Sequence, residues 1–180
     1  DTRLDSLTVN ATVRDALGSP SADGRVLAEG VAAAGAEIGR LLLDGQASDL
    51  RDSPAADLTL EADDIAAAGA TVASLTTEAQ LRDLRGSPAA DLTFTADTIA
   101  AAGATVDSAR GEAQLSDLLD SPAVVASVTA ERVAAGGATI ALVAAEADLQ
   151  NLTGLPTGTA ALRLSDIAAG GATVPEAQAD

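Results

Sequence analysis

The sequence predicts an α/β fold, a right-handed solenoid of about ten short strand–helix coils. Three observations lead there. Pro20, Pro54, Pro88, Pro122 and Pro156 stand 34 residues apart. Gly35, Gly69, Gly103, Gly137 and Gly171 keep the same spacing, always 15 residues after the proline. A fixed period of this size marks an array in which each unit buries its core against its neighbours. Third, LTLEADDIAAAGATVASL, from Leu58, matches LTTEAQLRDLRGSPAADL, from Leu75. The unit therefore divides into two related halves of about 17 residues each.

All of 1–180 reads as one repeat domain. Residues 1–19 form a partial repeat, because LTVNATVRDALGSP, from Leu7, aligns with LTTEAQLRDLRGSP, from Leu75. The Pro20 unit is the least regular, with Gly24, Gly30, Gly39 and Gly45 added, and with the densest leucine run, Leu41, Leu42 and Leu43. That run is a candidate partner-docking patch; the plainer reading is a bulky, capping coil. In the Pro54 and Pro88 units, DLTLEA and DLTFTA alternate apolar and polar residues as a short strand does. ADTIAAAG then reads as a two-turn helix, with Thr95 as its N-cap and Gly103 ending it in the left-handed conformation. Thr105 and Val106 suit the next strand. The segment TTEAQLRDLRGSP predicts a second helix, opened by a capping box of Thr77 and Gln80 and closed by Gly86 and Pro88. The Pro122 and Pro156 units keep the plan, and 175–180 predicts a frayed tail. Parallel stacking of the coils predicts a rod of about 45–50 Å.

The alternative is an all-α helical-repeat solenoid, since this period also fits paired-helix repeats. Those repeats use aromatic residues, and here Phe94 is the one aromatic. Leucine-rich repeats would need an Asn ladder that does not recur.

The net charge of -17, with no Lys and no His, opposes binding to nucleic-acid phosphates and to anionic membranes. No apolar run is long enough to insert as a membrane helix, and with no Cys there is no disulfide or thiolate metal site. The opening DTRLDS, without an initiator Met, suggests a piece of a longer repetitive protein.

The residue inventory argues against an enzyme. Without His, Cys, Lys or Tyr, most general bases and covalent nucleophiles are missing. No phosphate-cradling or nucleophile-elbow motif occurs in context. No cofactor and no small-molecule substrate are expected.

Three acidic ladders remain. Asp44, Glu78, Glu112, Glu146 and Asp180 form the first; Asp15, Asp49, Asp83 and Asp117 the second, broken at Asn151. Glu29, Asp63, Asp97 and Glu131 form the third, broken at Ser165. The main expectation is stabilisation of helix N-termini. The sharper one is Ca²⁺ shared between coils, with Asp44, Glu78, Glu112 and Glu146 as candidate metal ligands. Arg14, Arg51, Arg82 and Arg85, next to Asp15, Asp52 and Asp83, predict surface ion pairs.

Units such as LTFTADTIAAAGATV, joined through TEAQLRDL, resemble the Ala/Thr/Asp-rich repeats of very large secreted bacterial surface proteins and adhesins. The glycine-rich calcium nonapeptide found elsewhere in such proteins is absent. The resemblance implies a non-catalytic structural or adhesive segment, secreted or at the cell surface. Its partners would be itself, neighbouring repeats or other proteins. The alternative is a binding solenoid that presents one face to a partner, with calcium as a possible stabiliser.

Overall fold

The computed structural model describes residues 2–16, 18–153 and 155–179. They form one antiparallel sheet of eleven strands, ordered as in the sequence: β1 (Ser6–Arg14), β2 (Ser21–Ala33), β3 (Ala36–Ser48), β4 (Ala55–Ala67), β5 (Ala70–Arg82), β6 (Ala89–Ala101), β7 (Ala104–Ser116), β8 (Ala123–Ala135), β9 (Ala138–Gln150), β10 (Thr157–Ala169) and β11 (Ala172–Ala179). Each strand packs only against its sequence neighbours, so the sheet is open at β1 and β11.

This overturns the strand–helix solenoid and its all-α alternative. No helix occurs among the described residues. The segments expected to be helical, around Thr77–Gln80 and Thr95–Ala101, lie inside β5 and β6. The connections are hairpins, so no right-handed crossovers and no parallel coils exist. The 34-residue unit survives as a hairpin: β4 and β5 have 13 residues each, and a two-residue turn and a six-residue loop (residues 83–88) complete the period. The expected half-repeats are single strands of unequal connection. Pro175, in the segment expected to fray, lies within β11, while Asp180 lies outside the described residues.

The short turns explain the periodic glycine. Ala68 and Gly69 both have positive φ, 49° and 81°, and Ala67 pairs with Ala70. That is the two-residue type I′ turn, whose twist matches the flanking strands. Gly103 therefore closes a hairpin with Ala102 rather than ending a helix.

The six-residue loops are tied by the periodic prolines. The backbone N–H of Leu84 donates to the Pro54 carbonyl at 3.1 Å, and Leu118 N–H to the Pro88 carbonyl at 3.2 Å. Each loop thus bonds to its predecessor, and Pro54, Pro88 and Pro122 are buried in the resulting spine.

A row of left-handed residues crosses the sheet. Gly30, Asp64, Thr98, Arg132 and Asp166 sit within strands with φ of 49–59°. The pairing on either side of them keeps register: Asp63 faces Ser74 and Ile65 faces Val72. Both strands of each pair therefore carry an extra residue at the same level, here Asp64 and Ala73. Apolar positions change parity there: Ala56, Leu58, Leu60 and Ala62 precede the kink in β4, and Ile65 and Ala67 follow it. Pro175 occupies this row on the edge strand, where no ladder bond is required of it.

The sheet has no second layer. The chain exposes 11057 Å², whereas a compact monomer of this mass exposes about 7,900 Å². The buried hydrophobic residues are four alanines, Ala28, Ala62, Ala90 and Ala96.

Candidate functional site: an amphipathic sheet face

Strand alternation sorts the side chains onto two faces. Away from the kink row, one face is apolar throughout. Cross-strand pairing aligns it in rows: Val31, Ile38, Ile65, Val72, Ile99 and Val106 run side by side, continuing through Val133 and Ile140 to Ile167 and Val174. A row of alanines, such as Ala67, Ala70 and Ala101, lies beside it at the short turns. On the other side of the kink, Leu, Val, Ala and Gly fill this face, with Phe94 its largest side chain and Thr77 its one polar side chain among the described residues. No charged side chain belongs to these rows among the described residues.

In some rows of this face large and small residues alternate. Across one row, Ala28, Leu41, Ala62, Leu75 and Ala96 are successive neighbours. Ala62, with Leu41 and Leu75 as its cross-strand neighbours, is 2% exposed. Leu58 covers Gly45: a Cβ there would stand 2.9 Å from a Leu58 methyl group. The irregular glycines of the Pro20 unit thus pair across strands, Gly24 with Gly45 here, while Gly30 and Gly39 meet at the kink.

The opposite face is polar and ordered by charge. Arg25 grips Asp44 with two bonds, at 2.6 and 3.0 Å, and Arg40 and Asp63 approach to 3.5 Å. The hydrogen bond from Arg25 holds the Asp44 carboxyl below its ordinary value, and the same bond raises the guanidinium. A shallow open cleft crosses this face from β1 to β4, lined by Asn10, Thr12, Asp23 and Gln46 among others.

The candidate metal ligands do not form a site. Asp44, Glu78, Glu112 and Glu146 share one row of this face, but Thr59, Thr93 and Ser127 separate them. Successive members are two strands, about 9–10 Å, apart, too far for one ion. No group of three or more acidic side chains that could hold a metal exists among the described residues.

With no helices, the helix-dipole account of the ladders falls. The second ladder instead caps the long loops. Asp83 has φ of 48°, and its carboxylate accepts bonds from the Gly86 and Ser87 N–H groups at 3.1 and 2.9 Å. Asn151 takes the same left-handed conformation, φ 57°, so the break in acidity is no break in structure. The third ladder pairs across strands, as in Ser74 with Asp97 and Arg110 with Glu131.

Arg14 and Arg82 pair across strands, with Asp23 at 3.0 Å and with Asp91, whereas Arg3 pairs with its near neighbour Asp5. Arg85 donates to the Arg51 carbonyl in the preceding loop. Leu41 and Leu43 belong to the apolar face, whereas Leu42 faces the other way, opposite Leu27 and Glu61. The docking candidate therefore splits, and the surface it pointed to extends over the whole sheet. Alternation across β2 to β10 carried that signal, but the parity change at the kink obscured it.

No family model matches the chain, and no curated protein or solved structure matches it. Among the described residues no helix is long and apolar enough to cross a membrane.

Proposed function

We propose that the protein is a non-catalytic structural module that works by association through its apolar face. One observation carries the reading: an apolar face, free of charge away from the kink row, spans eleven strands, and nothing in the described chain covers it. Eleven strands about 4.8 Å apart, the nine central ones about 40 Å long, give a face of about 1,900 Å². Exposed apolar patches larger than a few hundred Å² mark interaction sites. The polar face, with its carboxylates and arginines, keeps the other side in water. A secreted or cell-surface setting, with the sheet as a stiff spacer or adhesive element, belongs to the same proposal.

The test is an environment-sensitive apolar dye together with a paired substitution, Leu60→Asp and Leu75→Asp, at the centre of the face. Dye binding or self-association should occur in the natural chain and fall sharply in the variant. A chain that neither associates nor binds the dye would refute the reading.

A further inference from the structure

We infer that the apolar face is covered by a second copy of this chain, packed face to face. This rests on the association reading above and names its partner. Three features of the face favour a second sheet. The first is relief. Leu41 and Leu75 stand on either side of Ala62, and Leu81 and Leu115 on either side of Ala90. These alanines are 2% and 6% exposed, so they form the floors of holes whose walls are leucines. Two sheets pack by interdigitating the side chains of their inner faces, and alternating large and small residues supply knobs and holes in register. Because knobs and holes alternate from strand to strand in these rows between β3 and β6, a copy displaced by one strand spacing, about 4.8 Å, presents knobs to holes there. The surface is therefore complementary to itself, as an isologous contact requires.

The second feature is charge. Each copy carries -17, yet away from the kink row the face has no ionised group. Away from that row two copies can meet without desolvating a charge; the kink-row charges Asp64, Asp107, Arg132 and Asp166 lie at the contact, and the remaining repulsion acts from the outer faces. The third is area. Twist separates the corners of two packed sheets, but half of a face of about 1,900 Å² still exceeds the ~800 Å² per partner of a stable interface.

The test measures mass by sedimentation equilibrium on the full chain over a wide concentration range. The natural chain should form a dimer. Its association should tighten with added salt, because salt screens the repulsion between the outer faces. Leu60→Asp with Leu75→Asp should weaken association at least about tenfold, or about 1.4 kcal/mol. Ala62→Leu with Ala96→Leu plugs the holes while making the face more apolar. It should also weaken the dimer, with dye binding kept or raised. Far-UV circular dichroism checks that each variant keeps its strands. A natural chain that stays monomeric at every concentration overturns the proposal; if it still binds the dye, association with some other apolar partner stands. A dimer that survives Leu60→Asp with Leu75→Asp, or that tightens when the holes are plugged, overturns the proposal too. Either result would place the contact at the strand edges or on a featureless apolar surface.

Discussion

Replacing the alanines of the short turns by asparagine separates the hairpin fold from any helical reading by the sign of the effect. Ala34, Ala68 and Ala102 hold φ of 49–52°, each followed by a glycine at 80–83°. A left-handed residue with a Cβ costs about 1–2 kcal/mol, and asparagine bears that conformation better because its short side chain bonds locally. Each Ala→Asn change should therefore stabilise by about 1 kcal/mol. The three turns lie two strands apart, about 9–10 Å, so the gains add to about 3 kcal/mol. The side chains are exposed, and no packing is disturbed. In a helix the same three substitutions would cost about 2 kcal/mol in propensity. The two folds thus differ by about 5 kcal/mol in the triple variant. Urea unfolding at fixed protein concentration reads the difference as a shift in midpoint with unchanged slope. Gly136→Ala, at the equivalent position of a later turn, should move the midpoint down. A triple variant less stable than the natural chain would refute the hairpin assignment.

Other outcomes follow from single residues. Thr98 is β-branched and left-handed, φ 49°, so Thr98→Gly should raise the urea midpoint, worth about 1 kcal/mol after the entropy cost of glycine. Asp83→Ala removes two loop bonds and leaves alanine in a left-handed position, and should cost about 1–2 kcal/mol, while Asp83→Asn, which tolerates the left-handed conformation and keeps one acceptor, should cost less. The Asp44 carboxyl has its pKa depressed by Arg25, so its contribution is present above the ordinary carboxylate value and is lost as pH falls through the depressed one. Arg25→Met should flatten that acid limb in a stability–pH titration.

The repeat was legible from proline and glycine alone, and the conformation was not, for local reasons. Across the kink, Ala62 and Ile65 stand three apart on one face, as do Val72 and Leu75. That spacing imitates a helical stripe inside a strand. The IAAAG segment adds to the effect, since alanine favours helices and is depleted in strands. Its glycine suits a helix end as well as a hairpin turn, and only the fixed pairing of Ala67 with Ala70 decides between them. The second ladder was visible as a charge pattern. Its break at Asn151 hid the shared requirement, which is tolerance of positive φ rather than a carboxylate. The apolar face needed the register: Leu42 sits between two face residues in sequence and on the other side of the sheet in space.

Burial ties the fold to its association. With 11057 Å² exposed, the chain hides about 57% of the surface its extended form would show. That fraction belongs to a domain of about 60 residues, whereas chains of about 150 residues hide about 68–70%. The missing share corresponds to an absent second layer, and the small side chains of the apolar face cannot replace it. Backbone pairing holds each strand to its neighbours, but the hydrophobic contribution remains mostly unrealised until the face is covered. Stability and association are then one equilibrium, because a partner that binds only the folded sheet stabilises it by mass action. The melting temperature should therefore climb with protein concentration in the natural chain. In Leu60→Asp with Leu75→Asp it should be lower and independent of concentration. A natural chain whose melting temperature is high and indifferent to concentration would mean that strand pairing alone carries the sheet.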